Sequence, residues 1–158
     1  MTGVYMGNTY TQIHIHAVFA VQNRLSLINN RWEENLNKYI TGIIDNIGHK
    51  TLQIGGMSDH IHILIGMKPT QSVSDMMKDI KGSSSSWINK NGYAMGKFQW
   101  QEGYGAFSCS KSVVQNVINY IQNQKKHHTK STFQSEYLKM LKRAGIDYEE
   151  EYILKSPV

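Results

Sequence analysis

The run His60-Ile61-His62-Ile63-Leu64-Ile65 constrains the fold of this chain more than any other segment. Residues two apart in a β-strand project from the same face of the sheet. The two histidines are therefore predicted to share one face, while the three isoleucines anchor the strand in the core on the other. Two imidazoles that project together from a rigid strand can bind one divalent ion.

A second pair with the same spacing, His14 and His16, lies in an alternating segment over residues 10–21 that is predicted to form the first strand. A lone His-x-His pattern is weak evidence for a metal site, because ordinary strand histidines produce it as well. Only one pair is needed for a single ion. At this point the sequence leaves open which pair binds the ion and which is an ordinary pair of strand histidines.

The remaining periodicity predicts an α+β fold with an antiparallel sheet and helices packed on it. The order of elements is that of a ferredoxin-like domain, a plan shared with RNA-recognition domains. The predicted elements after the first strand are a helix over 30–47, a hairpin of 51–54 and 57–67 turned at Gly55-Gly56, a helix from Ser72, an extended segment over 97–109, a helix from Ser110 and a helix over 133–143 that stops at Gly145.

Composition limits the class of protein. The chain has 158 residues, 40% of them hydrophobic and 18% charged, which suits one globular domain over residues 1–158. No apolar run reaches the length of about 18 residues needed for a transmembrane span, and no secretory signal is seen at the start. The single Cys109 cannot form an internal disulfide, which fits a reducing compartment. We therefore expect a cytoplasmic protein without membrane partners.

The net charge of +5 is concentrated in the middle of the chain. Residues 61–130 contain nine Lys or Arg against three Asp or Glu, whereas the flanking segments are close to neutral. A basic zone around a site favours a polyanionic substrate. A solvated lysine-rich surface explains the same charge equally well.

A predicted helix near residue 120 carries Tyr120 and Gln124, four residues apart and about 40° apart around the helix axis. The two side chains flank the apolar stripe of that helix, where a side chain can reach into a cleft between helix and sheet. The alternative is a boundary tyrosine with a solvated glutamine.

The two motifs together resemble the single-tyrosine transposases of the HUH endonuclease superfamily. The group to which the chain is most similar is the IS200-like transposases, which move insertion sequences of the 200/605 type as single-stranded DNA. The resemblance rests on the histidine pair after Gly-Gly, on Tyr-x-x-x-Gln at 120–124 and on the segment 100–108, and it covers about Thr9 to Tyr152. It implies that His60 and His62 ligate a metal, that Gln124 is the third ligand and that Tyr120 is the nucleophile.

The resemblance also implies an activity. The expected enzyme is a metal-dependent DNA transposase, an endonuclease and strand transferase that cuts and rejoins single-stranded DNA at hairpin-bearing element ends. A phenol ordinarily ionises near pH 10, so the attack that forms a 5′-phosphotyrosine needs a bound Mg²⁺ or Mn²⁺. We expect a homodimer in which the tyrosine helix of one chain serves the histidines of the other. The expected DNA contacts are Lys78, Lys81, Lys97 and Lys111 to phosphates and Trp100 and Tyr104 to unpaired bases.

An uncharged ligand set of two imidazoles and one amide predicts weak metal binding in the free protein and tighter binding with DNA. Other readings of the sequence are a non-catalytic nucleic-acid-binding module, a two-histidine phosphoesterase and a replication initiator or relaxase. A domesticated transposase that acts on dispersed chromosomal hairpins is a further alternative.

Overall fold

The computed structural model describes residues 8–127 and 131–158, and a four-stranded antiparallel sheet lies at its centre. The strands follow the spatial order β2-β3-β1-β4, which is the arrangement of a ferredoxin-like sheet, so the predicted α+β fold is confirmed. The strand bounds are β1 Ile13–Ala20, β2 Lys50–Met57, β3 His60–Met67 and β4 Gly105–Cys109.

The helices cover both faces of this sheet. Short 3₁₀ turns lie at Arg24–Ser26, Lys111–Val113 and Glu150–Tyr152. Within the described part of the chain, no helix is long and apolar enough to cross a membrane. The helix bounds are α1 Asn30–Asn46, α2 Val73–Asn91, α3 Val114–Gln122, α4 Gln124–His127 and α5 Phe133–Arg143.

Side-chain caps explain where several helices begin. The Ser72 hydroxyl accepts a hydrogen bond from the Asp75 backbone N–H, as the capping spacing predicts. Thr132 caps α5 in the same way, and the predicted bounds of that helix match the observed ones. Ser110 makes no such bond and precedes a 3₁₀ turn, so the third helix begins later than expected.

One face of the sheet is apolar and forms the main core against α1 and α2. The odd-numbered residues of β1 and β3 supply it, because alternate side chains of a strand point to the same side. Residues on this face that are at most 2% exposed include Ala17, Phe19, Ile61, Ile63 and Ile65, with Leu36, Ile40 and Ile44 of α1 and Met76, Met77 and Ile80 of α2.

The opposite face carries the histidines and lies under the C-terminal helices. Val18 pairs with His62 and Ala20 with His60 across the β1–β3 ladder, which places both histidines on an interior strand, with His60 at its first position. A smaller apolar cluster fastens α5 to this face and contains Val18, Ala20, Phe133, Tyr137, Leu141 and Leu154.

The prediction that Gly55-Gly56 forms the hairpin turn is wrong. Both glycines lie inside β2, paired with His62 and Ile61, and neither has a positive φ. The turn lies at residues 58–59 instead. A Cβ at Gly56 would lie 2.2 Å from the His60 carbonyl oxygen, and one at Gly55 would lie 3.0 Å from the carbonyl oxygen of Ile121. The glycines are needed because neighbouring backbone approaches closely, not because the chain reverses there.

The helix predicted to carry both Tyr120 and Gln124 is interrupted at Asn123, which adopts a turn. Tyr120 therefore belongs to α3, and Gln124 is the first residue of α4. The two residues therefore do not share one continuous helix, and helical periodicity alone does not explain why their side chains meet.

Candidate metal and tyrosine site

Five polar side chains meet in the layer between the histidine face of the sheet and the helices α3, α4 and α5. β3 supplies His60 and His62, α3 supplies Tyr120, α4 supplies Gln124 and α5 supplies Glu136. Four of the five are almost completely buried, with exposures of 0% for both histidines, 1% for Gln124 and 3% for Glu136. Polar groups buried to this extent must satisfy one another.

The Glu136 carboxylate is the centre of the cluster. Its Oε1 lies 3.3 Å from Nε2 of His60 and 3.3 Å from Nε2 of His62. Its Oε2 accepts hydrogen bonds from the Tyr120 hydroxyl and, at 3.0 Å, from the Gln124 side-chain amide. One carboxylate thus joins the central strand to all three covering helices.

His60 is held on both sides of its ring. Nδ1 lies 2.7 Å from Oδ1 of Asp59, and Nε2 lies 2.9 Å from Oε1 of Gln124. Burial disfavours the charged ring, but the hydrogen bonds to Asp59 and Glu136 outweigh it and raise the pKa of His60 to about 9. The contacts with Asp59 and Glu136 thus favour the protonated form of the His60 ring in the metal-free protein.

Glu136 is the matching anion. Burial acts to raise the pKa of this carboxyl, but hydrogen bonds from His60 and His62 outweigh it and lower the pKa to about 2. A buried ion pair of this kind is tolerated only when both partners are well hydrogen-bonded, as they are here.

His16 of the second histidine pair also enters the site. Its Nε2 lies 2.9 Å from Nδ1 of His62, and the two ring centroids are 5.1 Å apart. Burial and the charge of His62 lower the pKa of His16 to about 3, so this ring is neutral. His14 is only half-buried and lies further along β1.

Tyr120 lies beside the histidines of its own chain. Its ring centroid is 5.6 Å from that of His62, with the ring planes at 90°, and 6.3 Å from that of His16. The ring is half-buried. The phenol is thus oriented toward the site and partly exposed.

The structure brings together the four residues that sequence reasoning assigned to the site, namely His60, His62, Tyr120 and Gln124. Glu136 was missed. Its signal in the sequence is an acidic residue within the apolar stripe of α5, three positions after Phe133 and next to Tyr137. A charged residue on the core side of a helix indicates that a polar partner lies across the interface, but the sequence does not identify that partner.

The predicted DNA contacts have mixed positions. Trp100 is only 7% exposed, packs on Phe19 and Phe98, and donates its indole N–H to Ser84 at 3.0 Å, so the prediction that it stacks on bases is wrong. Lys81 donates to the carbonyls of Gln101 and Gly103 at 2.8 and 2.6 Å and fastens that loop to α2. Tyr104 is half-buried, and the exposed members of the set are Lys78, Lys97 and Lys111.

The donor set fits a divalent ion. The ligand atoms of His60, His62 and Glu136 all lie within 4.8 Å of one another. Two imidazole nitrogens and one carboxylate oxygen are donors that suit first-row divalent ions, and the Gln124 carbonyl oxygen lies next to His60 as a fourth donor. Glu136 thus adds a carboxylate to the uncharged donors expected from the sequence, the two imidazoles and the Gln124 amide.

These features are those on which the resemblance to tyrosine transposases rested: a histidine pair on the central strand and a helix-borne tyrosine above it. The family model for IS200-like transposases matches residues 9–124. The chain belongs to the IS200-like transposase family.

Relatives agree with this assignment. The chain is 22% identical to the ISDra2 transposase TnpA of Deinococcus radiodurans over 118 residues, which span 72% of this chain and 84% of that protein. A crystal structure of a Deinococcus radiodurans R1 protein, described as a candidate transposase, has the same fold, with a TM-score of 0.59, 21% identity and coverage of 78% of this chain and 98% of that one. A REP-associated tyrosine transposase bound to a REP hairpin has a TM-score of 0.58, 13% identity and coverage of 80% and 74%.

Proposed function

We propose that this transposase cuts and rejoins single-stranded DNA at hairpin-bearing element ends by metal-assisted tyrosine transesterification. The observation that carries the proposal is the convergence of Tyr120, His60, His62 and Gln124 on one buried carboxylate, Glu136. A phenol held against a set of metal-ligating atoms is what a covalent cut of a phosphodiester requires.

Tyr120 is the proposed nucleophile. Its oxygen would form a bond to the scissile phosphorus while the bond from phosphorus to the 3′-oxygen breaks, which gives a 5′-phosphotyrosine and a free 3′-OH. Glu136 accepts the hydrogen bond of the hydroxyl in the metal-free protein and so aims the phenol into the site. Because the new ester retains the bond energy of the old one, a second 3′-OH can reverse the step and join strands without ATP.

His60, His62 and Glu136 would hold the metal through Nε2, Nε2 and Oε1, with the amide oxygen of Gln124 beside them. A bound Mg²⁺ or Mn²⁺ would withdraw charge from the phosphate oxygens and stabilise the departing 3′-oxygen. The imidazole ligands favour Mn²⁺ over Mg²⁺, which prefers oxygen and keeps its waters. Since Glu136 adds a negative charge, we now expect measurable binding in the free protein, before DNA arrives.

Single-stranded DNA with a hairpin is the proposed partner. The basic middle of the chain and the family support a nucleic-acid substrate. Of the predicted contacts, the exposed Lys111 precedes α3 on the histidine side of the sheet, whereas Lys78 lies on α2, which covers the other side. We propose that Lys111, rather than Lys78, contacts phosphates near the cut. The proposed compartment is the cytoplasm.

A homodimer belongs to the same proposal, because two cuts need two tyrosines and each chain brings one. Tyr120 contacts Glu136 and His62 within one chain, and an exchange of α3 between two chains would reproduce those contacts in trans. Mixing Tyr120→Phe with His60→Ala tests the exchange. Restored cleavage in the mixture supports sites shared between chains, and two inactive partners that stay inactive together contradict sharing.

The central experiment uses 3′-labelled single-stranded DNA from the sequence flanking the gene, with Mn²⁺ or Mg²⁺, resolved on denaturing gels. We expect a covalent protein–DNA band that Tyr120→Phe and His60→Ala abolish. Tyr152→Phe is the matched control, because Tyr152 is 78% exposed and lies outside the site. Hairpin binding without any covalent band would instead support a non-catalytic binding module.

The hairpin-bound relative favours one second candidate, a domesticated transposase that acts on dispersed chromosomal hairpins. The two candidates differ in their DNA and not in their chemistry. Covalent adducts with repeated chromosomal hairpins, and none with DNA flanking the gene, would select this alternative.

A further inference from the structure

The two His-x-His pairs lie on adjacent strands, and one ring of the first pair contacts one ring of the second. β1 and β3 are antiparallel neighbours in which Val18 pairs with His62 and His16 with Leu64, so His16 and His62 meet on the diagonal. His16 is 7% exposed, and its Nε2 lies 2.9 Å from Nδ1 of His62. The contact is a buried hydrogen bond between two imidazoles.

We propose that His16 is a positioning residue, which accepts the Nδ1–H of His62 and thereby keeps Nε2 of His62 available for the metal. The inference rests on the metal site of the proposed function. A neutral imidazole carries one hydrogen, and a ring that binds a metal through Nε2 must carry it on Nδ1. Such a hydrogen needs an acceptor in a buried site, and Nε2 of His16 is in place to be that acceptor.

In His60, the other ligand histidine, Nδ1 has a different partner. His60 directs Nδ1 at the Asp59 carboxylate, 2.7 Å away, while its Nε2 faces the centre of the site. Both ligand rings thus use Nδ1 to contact a support and Nε2 to contact Glu136. A carboxylate beside His62 would place a second anion next to Glu136, whereas an imidazole supplies an acceptor without adding charge.

His14 provides a control within the same motif. It lies two residues before His16, on the same face of β1, opposite Gly66. Its Nδ1 is buried without a hydrogen-bond partner among residues 8–127 and 131–158. His14 thus shares the motif and the face of His16 but not its contact with His62, and His16→Gln separates the effect of that contact from the effect of the deeper burial of His16.

The experiment titrates Mn²⁺ into the full-length protein by calorimetry, without DNA, and compares variants at His16 and His14. His16→Phe fills the space but removes the acceptor, and we expect its Mn²⁺ affinity to fall about 10- to 100-fold, as for other residues that support metal ligands. His16→Gln places an amide oxygen near the position of Nε2 and is expected to restore the affinity to within about threefold of wild type. His14→Phe is expected to leave it unchanged.

Each other result overturns a defined part of the argument. Equal losses in His16→Phe and His16→Gln, or equal losses in His16→Phe and His14→Phe, would reduce His16 to a packing role. His60→Ala separates this inference from the metal site itself. If His60→Ala abolishes Mn²⁺ binding and His16→Phe does not change it, only the role of His16 is overturned. If wild type binds no Mn²⁺ even after single-stranded DNA from the sequence flanking the gene is added, the metal site and the inference are both overturned. Thermal melts identify a variant that has not folded, and if His16→Phe is one, His16→Leu replaces it as the variant without an acceptor.

Discussion

The two faces of the sheet differ in almost every respect, although the same strands build both. On one face, Ile61, Ile63 and Ile65 of β3 pack against α1 and α2 in an apolar core. On the other, His60 and His62 lie among charged and amide groups under α3, α4 and α5. Because alternate residues point to opposite sides, the odd-numbered residues of β3 belong to the apolar core and its two histidines belong to the polar site.

The two faces of the sheet are stabilised in different ways, which allows a polar site to be buried in a small domain. The apolar face gains free energy from area removed from water, whereas the polar face gains little from its buried ion pair and must avoid unpaired groups. Its helices are fastened by a smaller apolar cluster around Phe133 and Tyr137 and by the contacts of Glu136. The polar site therefore depends on the apolar core for its position, whereas the site itself adds almost nothing to the stability of the fold.

The largest expected effect tests the apolar face. Ile63→Ala removes a side chain that is 0% exposed, and we expect the free energy of unfolding to fall by about 2–5 kcal/mol. Mn²⁺ affinity, measured where the variant is still folded, should stay near that of wild type. Urea denaturation gives the first quantity and calorimetry the second. Ile146→Ala is the control, because Ile146 is 43% exposed and should change stability by less than about 0.5 kcal/mol.

A large loss of Mn²⁺ affinity in folded Ile63→Ala would contradict the separation of the two faces. It would mean that the position of His62 depends on its sequence neighbour through the strand backbone and not only on the contacts of its own face.

The next effect tests the charge on the polar face. Glu136→Gln keeps the shape of the side chain but removes the negative charge, and we expect Mn²⁺ affinity to fall at least about tenfold, because an anion next to a dication contributes strongly even at an effective dielectric constant near 20. Glu150→Gln is the matched control, since Glu150 is exposed and remote from the cluster in the sequence. Calorimetry on the free protein measures both.

Unchanged affinity in Glu136→Gln would return the site to the uncharged set of two imidazoles and one amide. The free protein would then bind metal weakly, and DNA phosphate would have to supply the missing charge, as the sequence alone predicts.

The sequence predicts best where the signal is local. The alternation in β3, the Ser72 cap and the bounds of α5 all follow from residues within a few positions of one another. Glu136 escapes prediction because its partners lie on β3, α3 and α4, and only the packing of α5 brings them together. The same holds for His16, whose contact with His62 requires β1 and β3 to be neighbours in a given register.

Gly55 illustrates this limit and provides the smallest expected change in stability. In the sequence, Gly55-Gly56 looks like a turn, whereas in the fold a Cβ at Gly55 would meet the backbone oxygen of Ile121 at 3.0 Å and its Cγ2 at 3.2 Å. Gly55→Ala should therefore displace α3 by a few tenths of an ångström and lower stability by about 1 kcal/mol. Tyr120 adjoins Ile121, so formation of the covalent adduct should fall about tenfold, more than stability alone explains.

Gly66→Ala is the control for that substitution, because the atoms nearest to its Cβ lie 3.8 Å away, at ordinary contact distance, in the same pair of strands. Adduct formation is measured on denaturing gels and stability by urea denaturation. Equal losses of adduct in both variants would mean that any change in the hairpin disturbs the site. A loss confined to Gly55→Ala would mean that the close approach of α3 to β2 sets the position of the nucleophile, and that the polar face depends on backbone geometry in a way the apolar face does not.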